Sequence, residues 1–279
     1  PAASRLYVGG VNAGQNPGAL VADGTLGPGA PARVLFTSTA ASPSPGAWVG
    51  IELRNRAHAS TRIKHAQIAY AGVAGTGVIA LGADPANPLA IDDTLFTNSG
   101  SYDLYLTTGR LTVSNSTLQS FYYASSVPRV TWTNNTFQNW GQRKSRCGIN
   151  DVKRVVSGNA FLPVSGAVLQ VLSDTGANLL SEDATWTTNA GPYELVSDLY
   201  IYGTDGVDGV TTLTLNPGVE LRFPAASRLY VGGLNAGQNP GALVADGTVG
   251  PGAPARVLFT SSATSPVPGA WIGIELRNR

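Results

Sequence analysis

Residues 1–56 and 224–279 are nearly the same sequence, PAASRLYVGG…AWVGIELRNR and PAASRLYVGG…AWIGIELRNR, in a register of 223 residues. Six of the 56 aligned positions differ: Val11/Leu234, Leu26/Val249, Thr39/Ser262, Ala41/Thr264, Ser44/Val267 and Val49/Ile272. A long-period internal repeat constrains the fold before any local feature does. Pro1 also continues a phrase, Leu221-Arg222-Phe223-Pro224, that runs unbroken at the second copy, and the chain has no Met. The expectation is a window from a longer tandem array, with residues 1–173 in one repeat unit, 174–184 as the connection, and 185–279 opening the next unit.

Within the large period, an apolar residue, four intervening residues and a second apolar residue recur as Ile63…Ile68, Ile91…Phe96, Val113…Leu118, Trp132…Phe137 and Val156…Phe161. Two residues after each first position, the column reads His65, Asp93, Asn115, Asn134, Gly158. Small or amide-bearing side chains at a fixed place suit a tight corner, where Asn tolerates left-handed φ and can hydrogen-bond along a ladder. Short extended runs are expected near 5–8, 18–22, 33–37, 48–53, 62–70, 77–81, 103–107, 168–172, 199–202 and 212–215. The 34 Gly and the 13% charged content fit many short strands joined by turns. No stretch carries a helical apolar stripe over three turns. The expected fold class is therefore all-β, a right-handed parallel β-helix (β-solenoid) continuous through the repeat. No single coil of such a stack buries its apolar face alone. A β-sandwich array with Asp-Gly hairpins at 23–24, 205–206 and 208–209 is the competing architecture.

The phrases at 213–223 (LTLNPGVELRF), 18–25 (GALVADGT), 34–38 (VLFTS) and 46–51 (GAWVGI) resemble bacterial right-handed parallel β-helix proteins of the pectin-lyase-like class. The resemblance covers about residues 185–279 and 1–140. It implies the fold. For activity it implies little, because that class holds pectin-cleaving lyases, glycan hydrolases, phage spikes and non-catalytic surface proteins.

Glycoside cleavage needs two carboxyls about 5–10 Å apart. Asp92-Asp93 is the densest local pair, but adjacent strand residues point to opposite faces, so it reads as a corner turn. Glu52 and Glu275 read as solvent-facing. No catalytic dyad is assigned, and the chain is read as not an enzyme. His58 and His65 lack zinc-type spacing. Asp205-Gly-Val-Asp208-Gly is a lone copy of a Ca²⁺-loop-like phrase, and no cofactor or metal is expected. Cys147 is the single cysteine. It reads either as a partly buried thiol or as an interchain bridge, one per unit.

Aromatics crowd residues 102–140. Phe and Trp at periodic positions read as core. Tyr102, Tyr105, Tyr122 and Tyr123 lie off the column and are the candidates for stacking on sugars. Residues 54–154 hold eleven Lys or Arg against five Asp, a net of +6, whereas 155–221 hold eight carboxylates and no Lys or Arg, a net of −8. One reading is a solvated surface with accidental bias. The other is an interaction surface, in which Arg143, Lys144, Arg146, Lys153 and Arg154 of one copy meet Glu182, Asp183, Asp205 and Asp208 of another. Such a heterologous contact propagates instead of closing. A near-neutral total disfavours nucleic acid, and no apolar run approaches the ~20 residues that span a bilayer.

The function expected is a structural repeat segment of an extracellular or cell-surface filament, stalk or giant adhesin. Its partner is itself, head to tail, with surface glycans as a further partner. The alternative is a polysaccharide-binding or polysaccharide-cleaving protein on the same scaffold.

Overall fold

A computed structural model describes residues 4–12, 14–73, 79–81, 89–107, 110–123, 130–173, 178–203, 208–235 and 238–277. The chain is predominantly β-strand. Among the described residues the strand pairs run parallel, and helix is confined to Val152–Val156 and two single 3₁₀ turns. Two compact units emerge: Pro1–Ser145 with Ser157–Ser165, and Arg146–Val156 with Gly166–Arg279. Of the expected connection at 174–184, residues 174–177 lie outside the described ones. Asn178–Leu180 is a strand beside Leu199–Ile201.

In the first unit, Arg5–Val8, Gly50–Leu53, Ile79–Leu81, Leu104–Leu106 and Phe121–Tyr123 lie side by side in one sheet. A second sheet is built around two long strands, Arg62–Ala69 and Leu89–Thr97. Their first halves pair with Val21–Asp23 and Leu111–Ser114, and their second halves with Val34–Phe36 and Thr117–Leu118. Successive strands therefore visit the first sheet, then each half of the second, then the first again.

The halves are separated by the corner column, and its backbone is left-handed throughout: His65 at φ 47°, Asp93 at 44°, Asn115 at 50°, Asn134 at 55° and Gly158 at 66°. Non-glycine residues adopt this region rarely, and Asn and Asp do so more readily because the short polar side chain bonds locally. The bend lets one chain direction serve two sheet faces.

On either side of the bend the apolar pairs stack in register. Ile63 lies beside Ile91, Ile91 beside Val113, and Val113 beside Trp132. Ile68 lies beside Phe96, and Leu118, Phe137 and Phe161 follow one another. The Phe137 and Phe161 rings stack at 4.7 Å, and Trp140 meets Phe161 edge-on at 4.9 Å. Burying a large ring in such a stack is worth roughly 3–5 kcal/mol against alanine.

The fifth apolar pair departs from expectation. Val156 ends the helix Val152–Val156 and is no ladder residue, because Val152, Val155 and Val156 at i, i+3 and i+4 bury one helical face instead. The hydrogen-bonding ladder also sits one residue past the corner. Thr94 N donates to Ser116 Oγ (3.0 Å), Ser116 N to Asn135 Oδ1 (3.0 Å), and Asn135 N to Asn159 Oδ1 (2.9 Å). These inward side chains satisfy amides that the bend takes out of the sheet.

In the second unit, strands fall into three parallel sheets in strict rotation. One holds Leu169–Leu172, Tyr193–Leu195, Glu220–Phe223 and Leu258–Ser261. The next holds Asn178–Leu180, Leu199–Ile201, Arg228–Val231 and Gly273–Leu276, and the last Ala184–Trp186, Thr211–Leu215 and Gly241–Val244. Inside lie Trp186 and Tyr193, both fully buried with ring centroids 4.8 Å apart, and the Tyr193 hydroxyl donates to Thr187 O at 2.5 Å.

Because the corner requires φ > 0, Asn115→Gly keeps the bend and should lower stability only by the lost bond to Asp92, under about 1 kcal/mol. Asn115→Val should lower it by about 1–2 kcal/mol, read as a shift in the urea midpoint at constant m.

Candidate functional site

Tyr105 and Tyr122 are register partners on the outward face of the first sheet, with rings stacked at 4.6 Å and 7°. Tyr102 leans on both, at 6.2 and 5.6 Å. All three are half-buried and present one aromatic surface. Tyr123 does not join them. Following Tyr122 directly, it points to the opposite face, is 1% exposed, and takes the Trp132 Nε1 hydrogen on its hydroxyl. Its expected role as a sugar-stacking ring is withdrawn.

Beneath this array lies a carboxylate that sequence reading passed over. Asp103 is fully buried and accepts from Ser99 Oγ, from Gln119 N at 2.5 Å and from Ser120 N at 3.3 Å. Burial pushes its carboxyl above the usual range, opposed by those donors and by the Arg143 charge. Arg143 itself donates from Nη2 to Ser99 O at 3.2 Å. Asp103 and Arg143 thus clasp the turn that carries Tyr102. The only signal in the sequence was an acidic residue opening a strand that is otherwise apolar.

Four of the residues singled out by charge, Lys153, Arg154, Glu182 and Asp183, meet inside the second unit. Glu182 Oε2 accepts from Lys153 Nζ and Arg154 Nη2, both at 3.0 Å. Lys153 Nζ also donates to Asp183 O at 2.5 Å, and Asp183 Oδ1 accepts from Thr212 N at 2.6 Å. Lys153, Arg154, Glu182 and Asp183 are thus engaged within their own chain, where the helix Val152–Val156 lays its cations. Lys144 is exposed and Arg146 half-buried. Asp208 closes a turn, accepting from Val210 N at 2.9 Å. Asp205 lies outside the described residues. Cys147 is 0% exposed, in line with the buried-thiol reading. Among the described residues no group of three His, Cys, Asp or Glu is placed to hold a metal ion.

The Asp92-Asp93 pair does form a corner. Asp93 Oδ2 lies 2.5 Å from His65 Nδ1, and Asp93 Oδ1 accepts from Arg33 Nη2 at 2.7 Å. The His65 bond, then Arg33, holds the Asp93 carboxyl below its ordinary value. Asp92 accepts from Ser114 Oγ and Asn115 Nδ2, each at 2.7 Å, on the neighbouring strand. Both carboxylates therefore tie successive strands together, and they do not converge on a common point.

The most distinctive surface is the pair of strand edges in the two repeat copies. The copies fold alike: Arg5–Val8 pairs with Gly50–Leu53 in the same register as Arg228–Val231 with Gly273–Leu276. Their surroundings differ. In the first copy Ile51 and Leu53 are covered by Ile79–Leu81 and are each 1% exposed, whereas Ile274 and Leu276 are 44% and 77% exposed. On the other side the order reverses. Leu229 and Tyr230 lie beside Leu199 and Tyr200 and are 0% and 6% exposed, against 37% for Leu6 and 53% for Tyr7. The Arg54 guanidinium sits 3.6 Å over Tyr7, as Arg277 does at 3.8 Å over Tyr230, but only Tyr230 has a ring, Tyr200, stacked at 4.6 Å. Leu6 and Tyr7 lie on the first strand and Ile274 and Leu276 on the last, each with a neighbouring strand on one side.

No protein-family model, curated protein or solved structure matches the chain.

Two substitutions probe the clasping carboxylates. Asp103→Ala strands three donors and should destabilise by about 3 kcal/mol, and Asp103→Asn by less, measured by urea denaturation. Asp93 has a folded value below its unfolded one, so its stabilisation is complete above the unfolded value and lost as pH falls through the folded one. Asp93→Asn should flatten the loss of stability below about pH 4, followed by thermal melts across an acid series.

Proposed function

We propose that the chain winds as a right-handed parallel β-helix and serves as a structural repeat segment of an extracellular filament, stalk or surface adhesin, extended by stacking of its strand ladders. The observation that carries this reading is that two nearly identical copies join parallel strand ladders in one register, Arg5–Val8 with Gly50–Leu53 and Arg228–Val231 with Gly273–Leu276.

The rotation of strands through successive parallel sheets supports the winding, since each turn then buries its apolar face only against the next. The left-handed corner column supports it as well. An extracellular setting rests on the resemblance to bacterial β-helix surface proteins and on the low charge. The stacked Tyr102, Tyr105 and Tyr122 favour a second activity on the same scaffold, holding a polysaccharide against the ring faces.

Sedimentation velocity over a concentration series tests the stacking reading. Growth of multimers with concentration, and rods under negative stain, are expected. A single monomer species at every concentration counts against it. Because Lys153, Arg154 and Glu182 pair internally, the multimers should persist at about 1 M NaCl, where exposed charge contacts are screened. For the second reading, Tyr105→Ala with Tyr122→Ala should abolish retention on polysaccharide affinity gels while the variant still melts in one cooperative transition, at a lowered temperature.

A further inference from the structure

Two neighbouring rungs of the second unit diverge at one corner and leave a cleft between them. Glu194 pairs with Arg222 and Leu199 with Leu229, so residues 195–198 on one rung face 223–228 on the next, four residues against six. The longer connection is thrown outward as the turn Pro224–Ser227, closed by Ser227 N donating to Pro224 O at 3.3 Å. Ala226 turns there at φ 59°, in the left-handed region that glycine or asparagine ordinarily fills. Non-glycine backbone held in that region concentrates where ligands are clamped.

The cleft has a volume of about 380 Å³ and lies between this turn and the residues that lead into Leu199–Ile201. Its lining is of two kinds. Val196, Pro224, Ala225 and Ala226 supply apolar walls, and Asp198 supplies the single formal charge. Asp198 Oδ2 accepts from the Tyr200 hydroxyl at 3.2 Å, and Oδ1 from Arg228 N at 2.8 Å. Each carboxylate oxygen keeps a further lone pair, and among the described residues no Lys or Arg side chain is paired with it. The Arg228 guanidinium goes instead to the Tyr230 hydroxyl at 3.1 Å. Ser197 Oγ accepts from Asn178 Nδ2 at 2.9 Å and likewise keeps a lone pair. One carboxylate falls well short of the roughly six to eight oxygens that Ca²⁺ gathers, and no cationic side chain among the described residues lines the cleft to hold an anion.

We propose that this cleft binds an alkylammonium group, with the ammonium on Asp198 and Ser197 and the carbon stem along Val196, Pro224 and Ala225. An ammonium carries three donors and no acceptor, which matches a polar side made of unused lone pairs around one negative charge. Its bonds to a carboxylate are about twice as strong as neutral ones. A flexible methylene stem covers apolar wall while its charged head stays at the polar end. The shared chemistry is that of a lysine side chain on a partner and of a free alkylamine.

Titration calorimetry of the whole chain with n-butylammonium chloride tests it, with sodium butyrate and methyl glucoside as counter-probes. Saturable binding of one n-butylammonium per chain is expected in the millimolar range, with neither counter-probe binding. Asp198→Asn retains an acceptor for Arg228 N and should weaken binding about tenfold or more. Ala225→Phe fills the cleft without changing its charge and should abolish binding. Asp208→Asn, which removes a carboxylate from a different turn, should leave binding unchanged. Thermal melts of each variant establish that it is folded. The same titration with Nα-acetyl-lysine methylamide separates the sources: binding of both probes assigns the cleft to a partner's lysine, and binding of n-butylammonium alone assigns it to a free amine. Absence of saturable n-butylammonium binding overturns the proposal. So does tighter binding of the glucoside, or n-butylammonium binding that survives Ala225→Phe in a folded chain.

Discussion

A parallel strand satisfies only part of its backbone hydrogen bonding through any one neighbour, so each rung depends on having another on both sides. This requirement sets where stability resides. Interior rungs, such as Leu89–Thr97 between Arg62–Ala69 and Leu111–Ser114, are paired on both sides. The outward-facing sides of the two repeat copies are not, and the largest change in exposure falls on their identical aliphatic residues.

The corner divides two tasks between neighbouring residues. His65, Asp93, Asn115 and Asn134 take the left-handed turn and keep their side chains outside, where Asp93 joins His65 and Arg33. One residue further on, Ser116, Asn135 and Asn159 accept the amides of Thr94, Ser116 and Asn135 that the turn leaves behind. An apolar residue at the inner position would leave those donors buried without partners, at about 1–3 kcal/mol each. The outer position instead selects for backbone tolerance, which explains why it admits residues as different as His and Gly.

Much of this was legible because it follows from simple periods. The strand runs inferred from alternation lie close to the observed ones, as at Arg5–Val8, Arg62–Ala69 and Thr211–Leu215. All five members of the corner column took the backbone conformation expected of them. What escaped was nonlocal or competed with a second period. Val156 obeyed the spacing of the apolar pairs, but 152–156 also satisfies a helical one, and the helix prevailed. Tyr122 and Tyr123 are indistinguishable by composition, and only the register of Phe121–Tyr123 beside Leu104–Leu106 decides which faces out. The charge contrast between segments was real. Its meaning depended on Glu182 lying within reach of Lys153 and Arg154, a separation of 28 residues or more that sequence distance does not reveal. Asp103 escaped for the opposite reason, since its partners are backbone amides that carry no residue identity.

Corners in the first unit recur at steps of 28, 22 and 19 residues, reading from His65 to Asp93, Asn115 and Asn134, yet the strands that lead into them stay in unbroken register. Length is therefore absorbed wholly in the excursions away from the bend. An excursion can thus gain or lose residues while the pairs that lead into the bend stay as they are.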